Sequence, residues 1–133
     1  MKNIYYWCPF IGNIATIKAV INSAYSLAKY SNNQFIPTII NSCGEWDKYN
    51  SSLYKKKIIV KKLKNWFVIN TKISGYFRSR ITYILIFISC FFSLKNILKK
   101  DQPEYLIVHL ITSLPIFLYL IFNFKTKLII RVS

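Results

Sequence analysis

Acidic residues are scarce in this chain. Asp and Glu total 4 against 19 Lys and Arg in 133 residues, for a formal net charge of +15. So one-sided a balance directs the protein toward anionic partners: lipid headgroups, phosphorylated small molecules or nucleic acid. Glycine and proline are also few, 3 and 4 respectively. That excludes collagen-like and low-complexity chains, and a 53% hydrophobic fraction excludes a disordered polymer. The cysteines, Cys8, Cys43 and Cys90, are odd in number and form no C-x-x-C pair. Neither a disulfide scaffold nor a zinc site is signalled, no metal is expected, and a reducing cytoplasmic compartment is the simplest reading. There is a single histidine, His109.

What is present is apolar and lysine-rich. Ile, Lys, Asn, Tyr and Phe make up 70 of the 133 residues, a composition that A/T-rich codons favour. The resulting field acts whatever its origin. Sixteen lysines against three arginines fit diffuse attraction to an anionic surface better than bidentate reading of bases or phosphates, where Arg is favoured. The length suits one domain, residues 1–133, with a core of its own. A secretory signal is not expected: the short apolar run after Lys2 stops at Pro9, with no small-residue cleavage site behind it.

Periodicity gives the organisation. Ile4 to Cys8 is a short continuous apolar run rich in β-formers, the pattern of a buried strand. A turn-forming loop at residues 9–13 leads into a helix with Ile17, Val20, Ile21, Ala24, Leu27 and Ala28 on its apolar face, Asn13 as N-cap and an end near Tyr30. Phe35–Asn41 is a second strand, with Pro37 placing it near an edge or a strand start. Residues 42–52 read as a polar loop, and Trp66 to Ile69 as another short β-like run. A helix pattern returns from Tyr76, with Ile84, Leu85, Ile88, Phe91, Phe92 and Leu98 sharing a face and lysines crowding its last turns. Tyr105–His109 is a strand, a helix follows from Pro115, and the last strand spans residues 128–132. Strands alternating with helices predict an α/β fold with a parallel sheet and helices on both faces. A chain stopping on such a strand reads as truncated, or as half of a larger fold.

Several residues fall where such a fold places chemistry. Gly12 and Asn13 lie between a strand and a helix N-terminus, where backbone N–H groups and the helix dipole favour a phosphate; the other reading is a glycine that only permits a tight turn. His109 falls at the carboxyl end of a strand, the side on which open α/β sheets bind ligands; the other reading is a satisfied core histidine. Arg78 and Arg80 open the long helix and suit either a diphosphate or a solvated interface. Glu45 and Asp47 read as loop acids paired with nearby lysines. Residues 55–64 hold six lysines, with Tyr54 and Trp66 alongside. An anionic membrane surface fits this run, as does a plain solvated loop; no nucleic-acid motif surrounds it, and nucleic acid is not the expected partner.

Five stretches resemble the N-terminal domain of family 4 glycosyltransferases, which have the GT-B fold. Residues 7–16, WCPFIGNIAT, look like the first strand and glycine loop; residues 41–46, NSCGEW, like the end of the second strand. Ser79-Arg80 looks like a helix start, residues 104–115, EYLIVHLITSLP, like the acidic-apolar-His strand end, and residues 128–133 like the strand after it. The likeness is nearest to bacterial enzymes of O-antigen or capsule synthesis. It departs at Ala15, where a second glycine is common, and it includes no second domain with the paired-glutamate motif. It implies a Rossmann-like sheet forming the acceptor-side half of a GT-B fold, with a nucleotide-sugar as donor substrate and no cofactor. It further implies a lipid-linked acceptor at the inner face of the membrane, a peripheral cytoplasmic location, His109 as the catalytic contact, Gly12 and Asn13 at the donor phosphate, and Arg78 and Arg80 at the acceptor. The alternative is a small non-enzymatic membrane protein, because residues 81–94 and 105–124 carry no formal charge apart from His109.

Overall fold

A computed structural model describes residues 1–10, 15–65, 78–109 and 113–131, the side chains of Arg78 and Ser79 excepted. In chain order the elements are β1 (Lys2–Trp7), α1 (Ala15–Tyr30), β2 (Phe35–Asn41), a 3-10 turn (Asp47–Tyr49), α2 (Asn50–Lys55), β3 (Ile59–Lys62), α3 (Arg78–Asp101), β4 (Tyr105–His109), α4 (Ser113–Ile121) and β5 (Lys127–Arg131). The strands form one sheet in the order β3-β2-β1-β4-β5. All four pairings are parallel. This is a Rossmann-like α/β arrangement, as the alternation of strands and helices predicts.

The faces of the central strands β2, β1 and β4 are largely apolar because helices cover both sides. Ile4, Tyr6 and Cys8 of β1 and its extension join Ile39 of β2 against Ile17, Val20 and Ala24 of α1, and Leu53 of α2 packs into the same cluster. The alternate residues Tyr5 and Trp7, with Ile40, Leu106 and Val108, meet Ile86, Cys90, Leu94 and Leu98 of α3 and Leu114 and Leu118 of α4. Trp7, Val20, Ile39, Ile40, Leu94 and Leu106 have essentially no exposed surface. The two free edges carry cations, Lys61 and Lys62 on β3 and Lys127 and Arg131 on β5, which discourages edge-to-edge pairing.

Two local details differ from the sequence expectation. Pro37 does lie near a strand start, though in an inner strand: β2 pairs with β3 only from Thr38 onward, so the missing N–H falls beyond the end of β3. Residues 42–52 are not all loop: they contain the 3-10 turn and the first half of α2, held by Leu53 at zero exposure. The buried face of α3 is Ile86, Cys90, Leu94 and Leu98, whereas Ile84, Ile88 and Phe92 are exposed. The helix is apolar nearly all round, so hydrophobic spacing alone does not determine which stripe turns inward. Asp101 at its carboxyl end opposes the helix dipole, and Tyr5 Oη donates to it at 2.6 Å while Lys61 pairs with it. The β-like run at Trp66 to Ile69 lies outside the described residues.

The charge-poor stretch 105–124 does not form one helix. Its first five residues are β4, paired on both sides, and α4 is nine residues long. α3 alone among the described helices is long and apolar enough to cross a membrane, by length and composition.

Candidate functional site

In this strand order the chain builds outward from β1 through β2 to β3, then returns to the other side of β1 with β4 and β5. The carboxyl ends of β1 and β4 therefore lie side by side where the direction of building reverses. Open α/β sheets bind ligands in the crevice at that point. The last paired residues are Trp7 and Val108, and His109 comes next on β4.

His109 is 1% exposed, and its Nε2 has no hydrogen-bond partner among the described residues. Its ring centroid lies 6.0 Å from that of Tyr6, on the α1 side of the sheet. Tyr6 is itself fixed by a 3.2 Å hydrogen bond between its hydroxyl and Ser23 of α1. Arg131 of β5 is in register with His109. Burial, and then the Arg131 charge, lower the imidazole below its usual value near 6.5, so it is neutral at physiological pH. A neutral imidazole with one free nitrogen offers one donor or one acceptor, according to its tautomer. A buried nitrogen left without a partner costs free energy, so a ligand or a residue outside the described ones that pairs with Nε2 would be stabilising.

Among the described residues a second unpartnered group lies on the same face of the sheet, on the β2 side of β1. Trp46 is fully buried, and its indole Nε1, a donor only, has no partner. Phe10, just beyond β1, meets its ring edge-on at 4.9 Å, and Tyr49 flanks it at 5.9 Å. The third such atom, Thr126 Oγ1, precedes β5 at the amino end of the strands and is remote from this edge.

The loop after β2 is held by its own polar groups. Glu45, 4% exposed, accepts from the Ser42 N–H (2.8 Å), the Ser42 hydroxyl (2.7 Å) and the Cys43 N–H (2.8 Å). Burial raises its carboxyl above the usual range, and those donors offset part of the rise. Asn41 Oδ1 accepts from the Gly44 N–H at 2.8 Å, and Gly44 adopts φ 91°, which a Cβ would penalise. Asn41 Nδ2 donates to Asp47 at 2.7 Å, and Asp47 pairs with Lys62 at 2.6 Å. The expectation of acid–lysine pairs is met at Asp47 but not at Glu45, whose carboxylate instead closes its own loop. The pocket beside this loop, about 870 Å³, is bordered by Lys55, Lys57 and Lys62 with Tyr54.

The expected site residues are therefore placed unevenly. His109 stands at the crevice. Arg80 is exposed at the start of α3. Gly12, Asn13 and the Arg78 side chain lie outside the described residues. Among the described residues, no group of three or more His, Cys, Asp or Glu is placed to hold a metal ion. Sequence reasoning missed Trp46 and Arg131. Trp46 reads as one more core aromatic, and only the register of β4 with β5 brings Arg131 beside His109. No family model, no curated protein and no solved structure matches the chain.

Proposed function

We propose that this chain is the acceptor-side domain of a retaining glycosyltransferase. The reaction moves a sugar from a nucleotide-sugar to a lipid-linked saccharide at the inner face of a cell membrane, in the building of surface polysaccharide such as lipopolysaccharide or capsule. One observation carries the reading: a neutral, buried histidine at the carboxyl edge of the sheet, at its switch point, with a nitrogen that has no partner among the described residues. The resemblance in residues 104–115 to the acidic-apolar-His strand end of family 4 glycosyltransferases points to the same residue.

In this proposal His109 hydrogen-bonds the transferred sugar. The work is electrostatic: fixed donors and charges meet the departing diphosphate and the positive charge developing on the sugar. Gly12 and Asn13 contact the donor phosphate, while Arg78 and Arg80 face the diphosphate of the acceptor. In the GT-B arrangement a second domain binds most of the nucleotide, so this chain alone is expected to transfer no sugar. The outward face of α3 supports a membrane-side location: exposed Ile84, Ile88 and Phe92 continue toward Lys99 and Lys100, suiting an anionic surface.

The test is titration of the full chain with a UDP-hexose and, separately, UDP, following the His109 ring signals by NMR and the affinity by calorimetry. A saturable shift with the UDP-hexose is expected, with calorimetric affinity about tenfold or more weaker in His109→Ala, the order of one lost hydrogen bond. No shift at His109 with either ligand overturns the reading.

The second reading, a non-enzymatic membrane protein, is favoured by α3, which has a mean hydropathy of 1.9 over its apolar window. It requires α3 to leave the sheet and expose Leu94 and Leu98, both essentially buried. Alkaline washing of membranes separates the two readings, because a spanning chain stays and a peripheral one comes off.

A further inference from the structure

We propose that Cys43 and Cys90 form a reversible modification site, a dithiol that closes to a disulfide and pins the loop after β2 onto α3. The two sulfurs are 3.8 Å apart, although their residues are 47 positions apart in sequence. Both are free thiols, at 2% and 0% exposure. A disulfide has a sulfur separation of about 2.05 Å, so under 2 Å of closure is required. The Cys43 N–H is already held by Glu45, and the Cys90 thiol points at the Ser42 carbonyl at 3.6 Å. The loop backbone and the helix are thus in contact before any bond forms.

The two thiols are not equivalent. The hydrogen bond with Cys90 lowers the Cys43 thiol, while that bond and burial raise Cys90. Cys43 sits on the loop and Cys90 within the helix, so loop opening presents Cys43 as the attacking sulfur and leaves Cys90 as the resolving one. Cys8, the third cysteine, is pushed up to about 12 by burial and then by Glu45, and takes no part.

The oxidant is a small disulfide such as glutathione disulfide. Cys43, as thiolate, attacks one of its sulfurs; the S–S bond breaks and one glutathione thiolate leaves, taking up the proton Cys43 had lost. Cys90 then gives up its proton and attacks the Cys43 sulfur of the mixed disulfide, expelling the second glutathione. Two protein thiols lose two electrons, and one glutathione disulfide becomes two glutathione thiols. Because both sulfurs are buried, the loop opens to admit the oxidant, with Gly44 at φ 91° as its flexible point. The bond joins a loop at the carboxyl edge of the sheet to the middle of α3, so the redox state sets how firmly that loop is held to the helix.

The test incubates the full chain with excess glutathione disulfide, blocks residual thiols with N-ethylmaleimide and analyses intact mass and peptides. The expected product has lost two hydrogens, contains the Cys43 peptide joined to the Cys90 peptide, and reverts with dithiothreitol. Cys8→Ala leaves this unchanged. Cys90→Ala stalls with one glutathione on Cys43. Oxidation also raises Tm by about 5 °C or more, since a loop this long is closed in the unfolded chain. A wild-type chain that stays fully reduced, that keeps glutathione without bridging, or that bridges through Cys8 overturns the proposal. The wild-type result stands even where a variant fails to fold.

Discussion

The two faces of the sheet are covered by helices of different character. α1 is amphipathic: Ile17, Val20 and Ala24 are buried, while Lys18, Asn22 and Lys29 face solvent. α3 buries an equally regular stripe every fourth residue, yet its opposite side is Ile84, Ile88 and Phe92. The α1 side is finished as a protein surface; the α3 side is not. A helix that is apolar all round normally has something on both faces. The contrast also divides the chemistry. His109, Tyr6 and Trp46 lie on the finished α1 side, whereas Cys90 and the apolar ridge belong to α3.

The strongest way to break the contrast is to truncate each stripe of α3 in turn. Leu94→Ala empties a site with no exposure and is expected to cost about 3 kcal/mol of unfolding free energy. Ile88→Ala, six residues earlier on the outer stripe, should stay within about 0.5 kcal/mol. Urea unfolding of the two variants checks the ratio. Equal losses would mean that the outer stripe is covered in solution.

The loop after β2 comes next in size. Glu45→Ala leaves the Ser42 and Cys43 N–H groups without acceptors in a buried loop and is expected to cost about 2 kcal/mol. Glu45→Gln keeps an acceptor and should cost less. The same urea experiment separates them; equal losses would show that the charge, not the acceptor, holds the loop.

The two faces also differ in how far the sequence reveals them. Tyr105–His109 reads correctly to the residue because a strand buried on both faces is a short apolar run between breakers, here Pro103 before it. α1 is legible for a related reason: polar residues mark its outer side. α3 hides its inner stripe because Ile, Leu and Phe occupy every side of it. β3 is masked by the lysines of an exposed edge, which make a strand resemble a charged loop. In the site, His109 is legible from its place at the end of a strand. The orphaned Trp46 nitrogen, the Glu45 loop closure and the Cys43–Cys90 approach are not, since each joins segments through packing that no local pattern encodes.

A smaller effect tests the α1 side. The folded state holds His109 below its ordinary value near 6.5, so the unfolded chain binds the proton more readily. Stability from this group is complete above that value and declines as pH falls from about 7 through 6, where the unfolded imidazole protonates first. His109→Gln should flatten the thermal-stability profile across that window. Glu45, with its carboxyl raised, acts in the opposite direction: its folded form keeps a proton longer than the unfolded chain, so its contribution falls as pH rises above the ordinary carboxylate value. A profile that keeps its slope between pH 7 and 6 in His109→Gln would show that another group causes it.

The smallest expected change in stability tests what the unfinished face is for. Ile88→Lys with Phe92→Lys alters two side chains that are 66% and 67% exposed, so unfolding free energy should move by no more than about 0.5 kcal/mol each. Binding to vesicles containing anionic lipid should nonetheless fall. Added lysines would strengthen a purely electrostatic attachment by about 1 kcal/mol each, whereas they remove apolar area from an attachment that inserts the ridge. The sign of the change in a sedimentation assay therefore separates the two modes. Tighter binding marks an electrostatic attachment; weaker binding marks insertion of the α3 ridge. Wild-type chain that ignores anionic vesicles altogether would remove the membrane from the account of this face and leave a protein partner as its cover.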